Sequence, residues 1–424
     1  MSIKTLFGFL LVSLFVNSSA LSQIYEDRVY SEHVHSVRMF PQGSQQDSQL
    51  DAPVISLSDS RSLVLLFDDI AYDPEQYSAK LIHCDADWKQ SALRNNDFST
   101  NFNEFNILDY GYSVNTRIPY IHYSFTVPRV TKSGNYVLKV YRNRNENDVV
   151  LTRRFMVYEE LFNIGASIVP PSQSEDRRKA QQINVMVNYS QVDLVDPTTQ
   201  VKVIIRQNQR WDNAMFLAKP TFLNQSSKSI RYEAFDGSNT FKAGNEFRFV
   251  DLRFIRATGV NIADIKVEET VILANSLVDK PRPGGVYSQY LDLNGQYIVY
   301  TNDRIGGNPE VESEYIYTTF HLQAEPNREI YMLGALTAWG KNPESKMVYD
   351  PKTRLYSTSI LMKQGWYDYH YAYKTADGYD SESIEGSYFE TENEYEVLVY
   401  YRALGSRYDQ LVGYVDLHPN RRRI

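Results

Sequence analysis

Apolar and polar residues alternate with a period of two along most of the chain. Tyr136, Leu138 and Val140 share one side of an extended segment; Ile183, Val185, Val187 and Tyr189 share another, with Asn184 and Asn188 facing away. Val201, Val203 and Ile205 repeat the spacing, and Tyr367, Tyr369, Tyr371 and Tyr373 alternate with Asp368, His370 and Ala372. Successive side chains of a strand point to opposite faces, so this alternation predicts half-buried strands. No long stretch carries a helical period. Turn signals separate the runs (Lys132-Ser133-Gly134-Asn135, Asp236-Gly237, Asp377-Gly378), as expected for short strands stacked into sandwiches. The expected fold class is all-β.

Two breaks divide the pattern. Val169-Pro170-Pro171-Ser172 lies just beyond the strand pattern at Arg154–Val157, which places a boundary near residue 160. Asp279-Lys280-Pro281-Arg282-Pro283-Gly284-Gly285 cannot continue a central strand and predicts a second boundary. The expected units are a signal peptide at 1–20 and three tandem sandwiches at 21–160, 161–280 and 281–424. Residues 1–20 carry one charge, Lys4, then an apolar run from Leu6 to Val16 and the small residues Ser18-Ser19-Ala20, as a cleaved secretory signal requires. That run is shorter than the roughly 20 residues that cross a bilayer. The residue after the cleavage site is Leu21, not a cysteine, so no lipid anchor is expected, and with no other apolar run of comparable length neither is direct membrane insertion.

Composition narrows the chemistry. Cys84 is the sole cysteine, so no intramolecular disulfide can form, and the fold must hold by burial and strand pairing. The net charge of −8, one unit more negative once Lys4 leaves, argues against nucleic acid, and no basic stripe with interleaved aromatics appears. The closing Arg421-Arg422-Arg423 is expected to be a solvated end. The 33 Tyr and 20 Phe fit half-buried strands and contacts with one wet side.

Catalytic and metal chemistry find no foothold. His83 and Cys84 are strand neighbours and point apart, so Cys84 is expected to be a small buried hydrophobe. Asp68, Asp69, Asp85 and Asp87 lack the glycine and distal glutamate of a calcium loop, and the scattered histidines give no zinc spacing. No nucleophile elbow, P-loop or dinucleotide fingerprint is present. No catalytic residue, cofactor or metal is therefore expected. Trp211 is expected to fill the second sandwich, with Asp212, Asn213, Asn245 and Glu246 serving turns. Between Trp88 and Tyr112 a long Asn-, Asp- and Phe-rich stretch shows no clean strand period. Its aromatics (Phe98, Phe102, Phe105, Tyr110, Tyr112) predict a loop packed over its own sandwich or, alternatively, a partner contact.

Short phrases in fixed order carry a resemblance. They are His83-Cys84-Asp85-Ala86-Asp87-Trp88, Thr131-Lys132-Ser133-Gly134-Asn135-Tyr136, Leu151-Thr152-Arg153-Arg154-Phe155, Gln209-Arg210-Trp211-Asp212-Asn213 and Gly244-Asn245-Glu246-Phe247-Arg248. Together they resemble the plug-protein family of the type IX secretion system, densely from about residue 25 to 260 and more loosely to 415. The resemblance implies a non-enzymatic periplasmic protein, monomeric when free and peripherally held at the outer membrane. Its implied partner is the large outer-membrane β-barrel translocon, whose periplasmic mouth it would seal when no cargo is present. No C-terminal sorting domain is recognised, as expected of machinery rather than cargo. Residues 329–369 also resemble an early-set immunoglobulin-like domain, a template shared with glucan-binding modules. That second resemblance implies an alternative: a periplasmic glycan-binding protein using Trp339 and Trp366.

Overall fold

The computed structural model describes residues 25–43, 46–173, 175–217, 219–303 and 307–418. The expected signal peptide and the Arg421–Arg423 tail lie outside the described residues. Strands dominate, and each α-helix among the described residues is four residues long. The all-β expectation holds, and the strands form three two-layered sandwiches.

In the first sandwich, one sheet runs Arg28–Val29, Val149–Tyr158, Gly134–Arg142, Tyr77–Cys84, Phe105–Ile107, with Val54–Ser56 parallel to Val149–Tyr158. It faces Val34–Pro41, Leu63–Asp69, Ile121–Thr126 and Asp109–Tyr112. Leu81, Tyr136, Leu138, Val140 and Phe155 meet Leu65, Phe67 and Tyr123 between the layers. The predicted Tyr136–Leu138–Val140 face is thus core, yet Val137 on the opposite face is also fully buried. It lies against the second sandwich.

The second sandwich is not a contiguous piece of chain. Asn163–Val169, Ala180–Asn188, Ser229–Tyr232 and Phe222–Asn224 make one sheet, with Thr240–Lys242 beside Ala180–Asn188. The facing sheet runs Met215–Leu217, Val201–Gln207, Tyr395–Tyr401, Gln410–Leu417. Val203 stands opposite Val399 and Ile205 opposite Val397, so the end of the chain supplies half of this layer and much of its core.

The third sandwich is inserted between these halves. Gly365–Thr375 is its central strand and pairs with Arg248–Asp251, Tyr297–Val299, Ile330–Leu333 and Gly378–Asp380. Ile262–Val267, Ile272–Asp279, Tyr315–Leu322, Leu355–Lys363 and Val348–Asp350 form the facing sheet. Tyr367, Tyr369 and Tyr371 pack on Ile316, Phe320 and Met332.

The strand pairing therefore departs from the contiguous units expected at 161–280 and 281–424. Asp279–Gly285 opens a long loop inside the third sandwich rather than a boundary, and Arg248–Asp251, Ile262–Val267 and Ile272–Asp279 belong to that sandwich. Alternation identifies a strand, but the choice of neighbour is non-local. A fragment of residues 161–280 is accordingly expected to show no cooperative thermal transition by circular dichroism. Residues 161–243 joined through a short linker to 394–418 should regain one.

Candidate functional site at the junction of three sandwiches

His83 and Cys84 sit in the interior of this assembly. The Cys84 thiol is fully buried, and burial pushes its pKa up to about 12, so it is held as a neutral hydrophobe. Burial also holds His83 down to about 4; its Nδ1 lies 2.9 Å from Ser91 Oγ and its Nε2 3.2 Å from the Ser133 carbonyl. Gly134 must lack a side chain here: its φ is +138° and a Cβ would lie 2.5 Å from His83 Nε2.

The sequence phrases converge on the joint between the first and second sandwiches. The Asp85–Lys89 turn, closed by the Asp85 amide on the Lys89 carbonyl at 2.8 Å, holds Trp88 at φ +62°. Trp88 is thereby turned inward, edge-on to Trp211 at 4.8 Å. The Arg154 guanidinium lies 4.4 Å over the Trp88 ring, and Arg206 lies 4.8 Å over Trp211. Arg206, itself buried, is neutralised by Glu396 of the C-terminal strand pair at 2.6 Å. Around this core Asn135 donates to the Asp85 carbonyl, Tyr400 donates to Asn135, and Ala86 and Asp409 exchange amide-to-carboxylate bonds with Asp409 and Asp85. Ile82, Cys84, Val137 and Met156 meet Ile204, Leu398, Tyr400 and Leu411 in a continuous apolar layer.

Trp211 is thus a joint residue, not the expected filler of the second sandwich. Its loop also reaches the other two bodies: Gln209 donates to the Leu50 carbonyl, and Arg210 covers Trp339 at 4.1 Å. Asp212 pairs with Arg210 rather than serving a turn, whereas Asn245 and Glu246 do accept backbone amides. Arg248 of the last phrase bonds Glu385 and Asp279. Burial opposes ionisation of Glu385, but Arg248 and Arg282 hold its carboxyl down to about 2.

Sequence reasoning missed a second joint, between the first and third sandwiches. Asp68 and Lys363 form an ion pair at 2.6 Å with both side chains fully buried. Asp68 also accepts from Tyr315 Oη at 2.7 Å and lies 2.7 Å from His122 Nδ1. Arg38 clasps Glu310 at 2.5 Å, and Arg117 pairs with Glu314 at 2.6 Å. Burial works against the Asp68 charge, yet Lys363 and His122 hold its pKa well below the usual carboxylate range. Asp68 had drawn notice only as a poor calcium ligand. Its partner stands almost three hundred positions away, and no local spacing could reveal it.

The expected contact residues divide. Phe98 is buried in the first core and Phe105 is half-buried against it, so packing accounts for both. Phe102 (83 % exposed), Tyr110 (44 %) and Tyr112 (54 %) remain at the surface, as does Leu108 (79 %) where the chain crosses between the two sheets. The long loop contains two short edge strands, Phe105–Ile107 and Asp109–Tyr112, which its weak alternation had hidden. Trp339 and Trp366 do not form an exposed aromatic pair. Trp366 is buried, stacked on Phe249 at 4.1 Å with its indole N–H donated to Asp368, and Trp339 is half-buried beneath Arg210. Among the described residues no group of three His, Cys, Asp or Glu is placed to hold a metal ion.

These features define an all-β body of three sandwiches whose distinctive residues build its own joints. Residues 34–159 match the family model described as "Type 9 secretion system plug protein 1st domain". The chain thus carries the first domain of that family, which points to a role in type 9 secretion alongside other components of that system. A hypothetical protein from Parabacteroides merdae ATCC 43184, known from its crystal structure, is similar over 93% of this chain and 99% of its own. It is 27% identical with a TM-score of 0.86, so the likeness extends well beyond the first domain. No curated protein matches the chain.

Lys363→Ala would leave Asp68 buried without its cation and is expected to destabilise the protein by about 3–5 kcal/mol in urea unfolding. Lys363→Met combined with Asp68→Leu should recover that loss in full or exceed it. The folded-state pKa of Asp68 lies below its unfolded value, so its contribution is complete above about pH 4 and fades as pH falls through the lower value. Stability should therefore decline more steeply in acid for the natural protein than for the double variant.

Proposed function

We propose that the protein is a non-enzymatic periplasmic plug that seals the periplasmic mouth of the large outer-membrane β-barrel translocon of type 9 secretion while no cargo occupies it. The match of residues 34–159 to the plug-protein first domain carries this reading. The physical demands of a seal support it. A lumen wide enough for folded cargo leaks small solutes unless a body of similar width closes it. A compact chain of about 400 residues has a radius of gyration of about 21 Å. The first and second sandwiches share a continuous apolar joint, so that pair can bear on a rim as one body. Among the described residues no helix is long and apolar enough to cross a membrane, which agrees with peripheral attachment through the barrel.

The surface offered to the barrel includes the edge of the first sandwich at Asp109–Tyr112, where Tyr110 and Tyr112 stand exposed with their rings 6.1 Å apart. Exposed tyrosines suit a contact that is apolar in the middle and wet at its margin. The deciding experiment is a native pull-down of the tagged protein from gently solubilised outer membranes, with and without cargo secretion. A very large barrel protein should be recovered, and more of it when cargo is absent. Tyr110→Asp with Tyr112→Asp should weaken recovery by about tenfold or more while leaving the melting temperature unchanged. Recovery of no barrel in either state overturns the reading.

A further inference from the structure

The two joints of the first sandwich differ in kind. Its contact with the second is an apolar layer of Ile82, Cys84, Val137 and Met156 against Ile204, Leu398, Tyr400 and Leu411. Parting these faces would return that whole surface to water, at a cost proportional to its area. Its contact with the third is built from charges and hydroxyls: Asp68 with Lys363, Arg38 with Glu310, Arg117 with Glu314, and Tyr120 on the Ser313 carbonyl. The cores of the first and third sandwiches stay separate; Leu50 crosses to pack beside Leu293, Ile298 and Trp366, and the buried Tyr315 ring meets Tyr120 edge-on at 5.2 Å. Charges taken out of water to form such a joint recover their hydration when it opens, so it stores far less net stability than an apolar joint.

The tether of the third sandwich has a matching construction. It leaves and rejoins the second sandwich through two strands of chain lying side by side, with the Tyr388 amide on the Gly244 carbonyl at 2.8 Å and the Gly244 amide on Ser387 Oγ at 2.9 Å. Each strand carries one glycine at positive φ, Gly244 at +67° and Gly386 at +83°. A backbone without Cβ moves between wells at little steric cost, and such positions absorb the rotation in hinged proteins. Beyond this ribbon, the contacts of the third sandwich with the second are polar, among them Arg210 over Trp339 and Gln296 on the Asn208 carbonyl.

We infer that the third sandwich is a hinged arm: it swings off the first at the ionic joint, turning on the Gly244–Gly386 ribbon, while the first and second sandwiches remain one body. The inference rests on the two joints and the ribbon, and stands apart from the plug reading.

Amide hydrogen exchange on the full chain tests it, because single amides cross each joint. Val114 donates to the Val311 carbonyl, Arg117 to Glu314 and Val299 to Gln49 across the ionic joint. Glu159 donates to the Leu411 carbonyl and Ala86 to Asp409 across the apolar one. The first three should exchange together, on the order of tenfold or more faster than the other two. A disulfide from Gly111→Cys and Val311→Cys is well placed, since a Cβ on Gly111 would lie 3.3 Å from a Val311 methyl. Closing it should slow Val114, Arg117 and Val299 to the rate of the other pair. Lys363→Met with Asp68→Leu, which replaces the fully buried ion pair of the joint with apolar side chains, should slow them without any cross-link. Equal exchange at both joints, or rates unmoved by either variant, overturns the inference.

Discussion

Backbone pairing of Val201–Gln207 with Tyr395–Tyr401 joins two segments that lie almost two hundred residues apart, and the build of the second sandwich depends on it. It completes the inner layer of the second sandwich by placing Val397 and Val399 against Ile205 and Val203. It also presents Leu398, Tyr400 and Glu396 on the opposite face, where they receive the first sandwich and neutralise Arg206. The chain between the paired strands is thereby closed into one loop, whose first strands, through Thr240–Lys242, complete the second sandwich and whose remainder forms the third. The second sandwich is accordingly the hub. The first rests on its outer face, and the third hangs from its edge by two adjacent strands of chain.

Around that hub the protein uses its unusual residues for joining rather than for chemistry. Trp88, Arg154 and Trp211 come from three distant phrases and stack as one block. Trp88's left-handed backbone and the stacking of the block make sense only with the first and second sandwiches together. The loop at Asn208–Asn213 touches each sandwich in turn, which explains two consecutive non-glycine residues at positive φ, Asn208 and Gln209. Backbone strain of this kind persists where surrounding contacts over-determine it. The aromatic wealth of the chain follows the same logic. Tyr315 and Tyr400 are buried with their hydroxyls engaged, filling apolar space and bonding across a boundary at once.

Much of the fold could be read from the chain. The alternating runs at Tyr136–Val140, Ile183–Val187, Val201–Ile205 and Tyr367–Tyr371 are strands, and their apolar members line the cores. Domain limits could not be read, because the Pro- and Gly-rich stretch after Asp279 marks a loop as readily as a linker, and nothing in a strand names its neighbour. The ordered phrases pointed to the family while misleading about roles. Trp211 looked like core and lies in a joint; Trp366, a platform only under the alternative glycan-binding reading, is buried and stacked on Phe249. The Asp68–Lys363 pair left no trace at all, since a charge destined for burial has the same letter as one destined for solvent. Surface exposure at Phe102, Tyr110 and Tyr112 likewise depends on edge strands that weak alternation did not disclose.

The inserted arrangement has a consequence for how the protein comes into being. A chain is made from its N-terminus, and domains generally form as they emerge. The first sandwich has all its strands by residue 158, yet the second must wait, one layer incomplete, until residues 395–417 arrive. During that interval Val203, Ile205 and the edge of Val201–Gln207 stand open, the kind of unpaired edge that invites association with other chains. Assembly is therefore ordered in time, with residues 395–417 acting as the closing piece. A molecule interrupted anywhere before those strands carries a visible defect in its hub, which gives chaperones and proteases a built-in means of telling finished copies from unfinished ones.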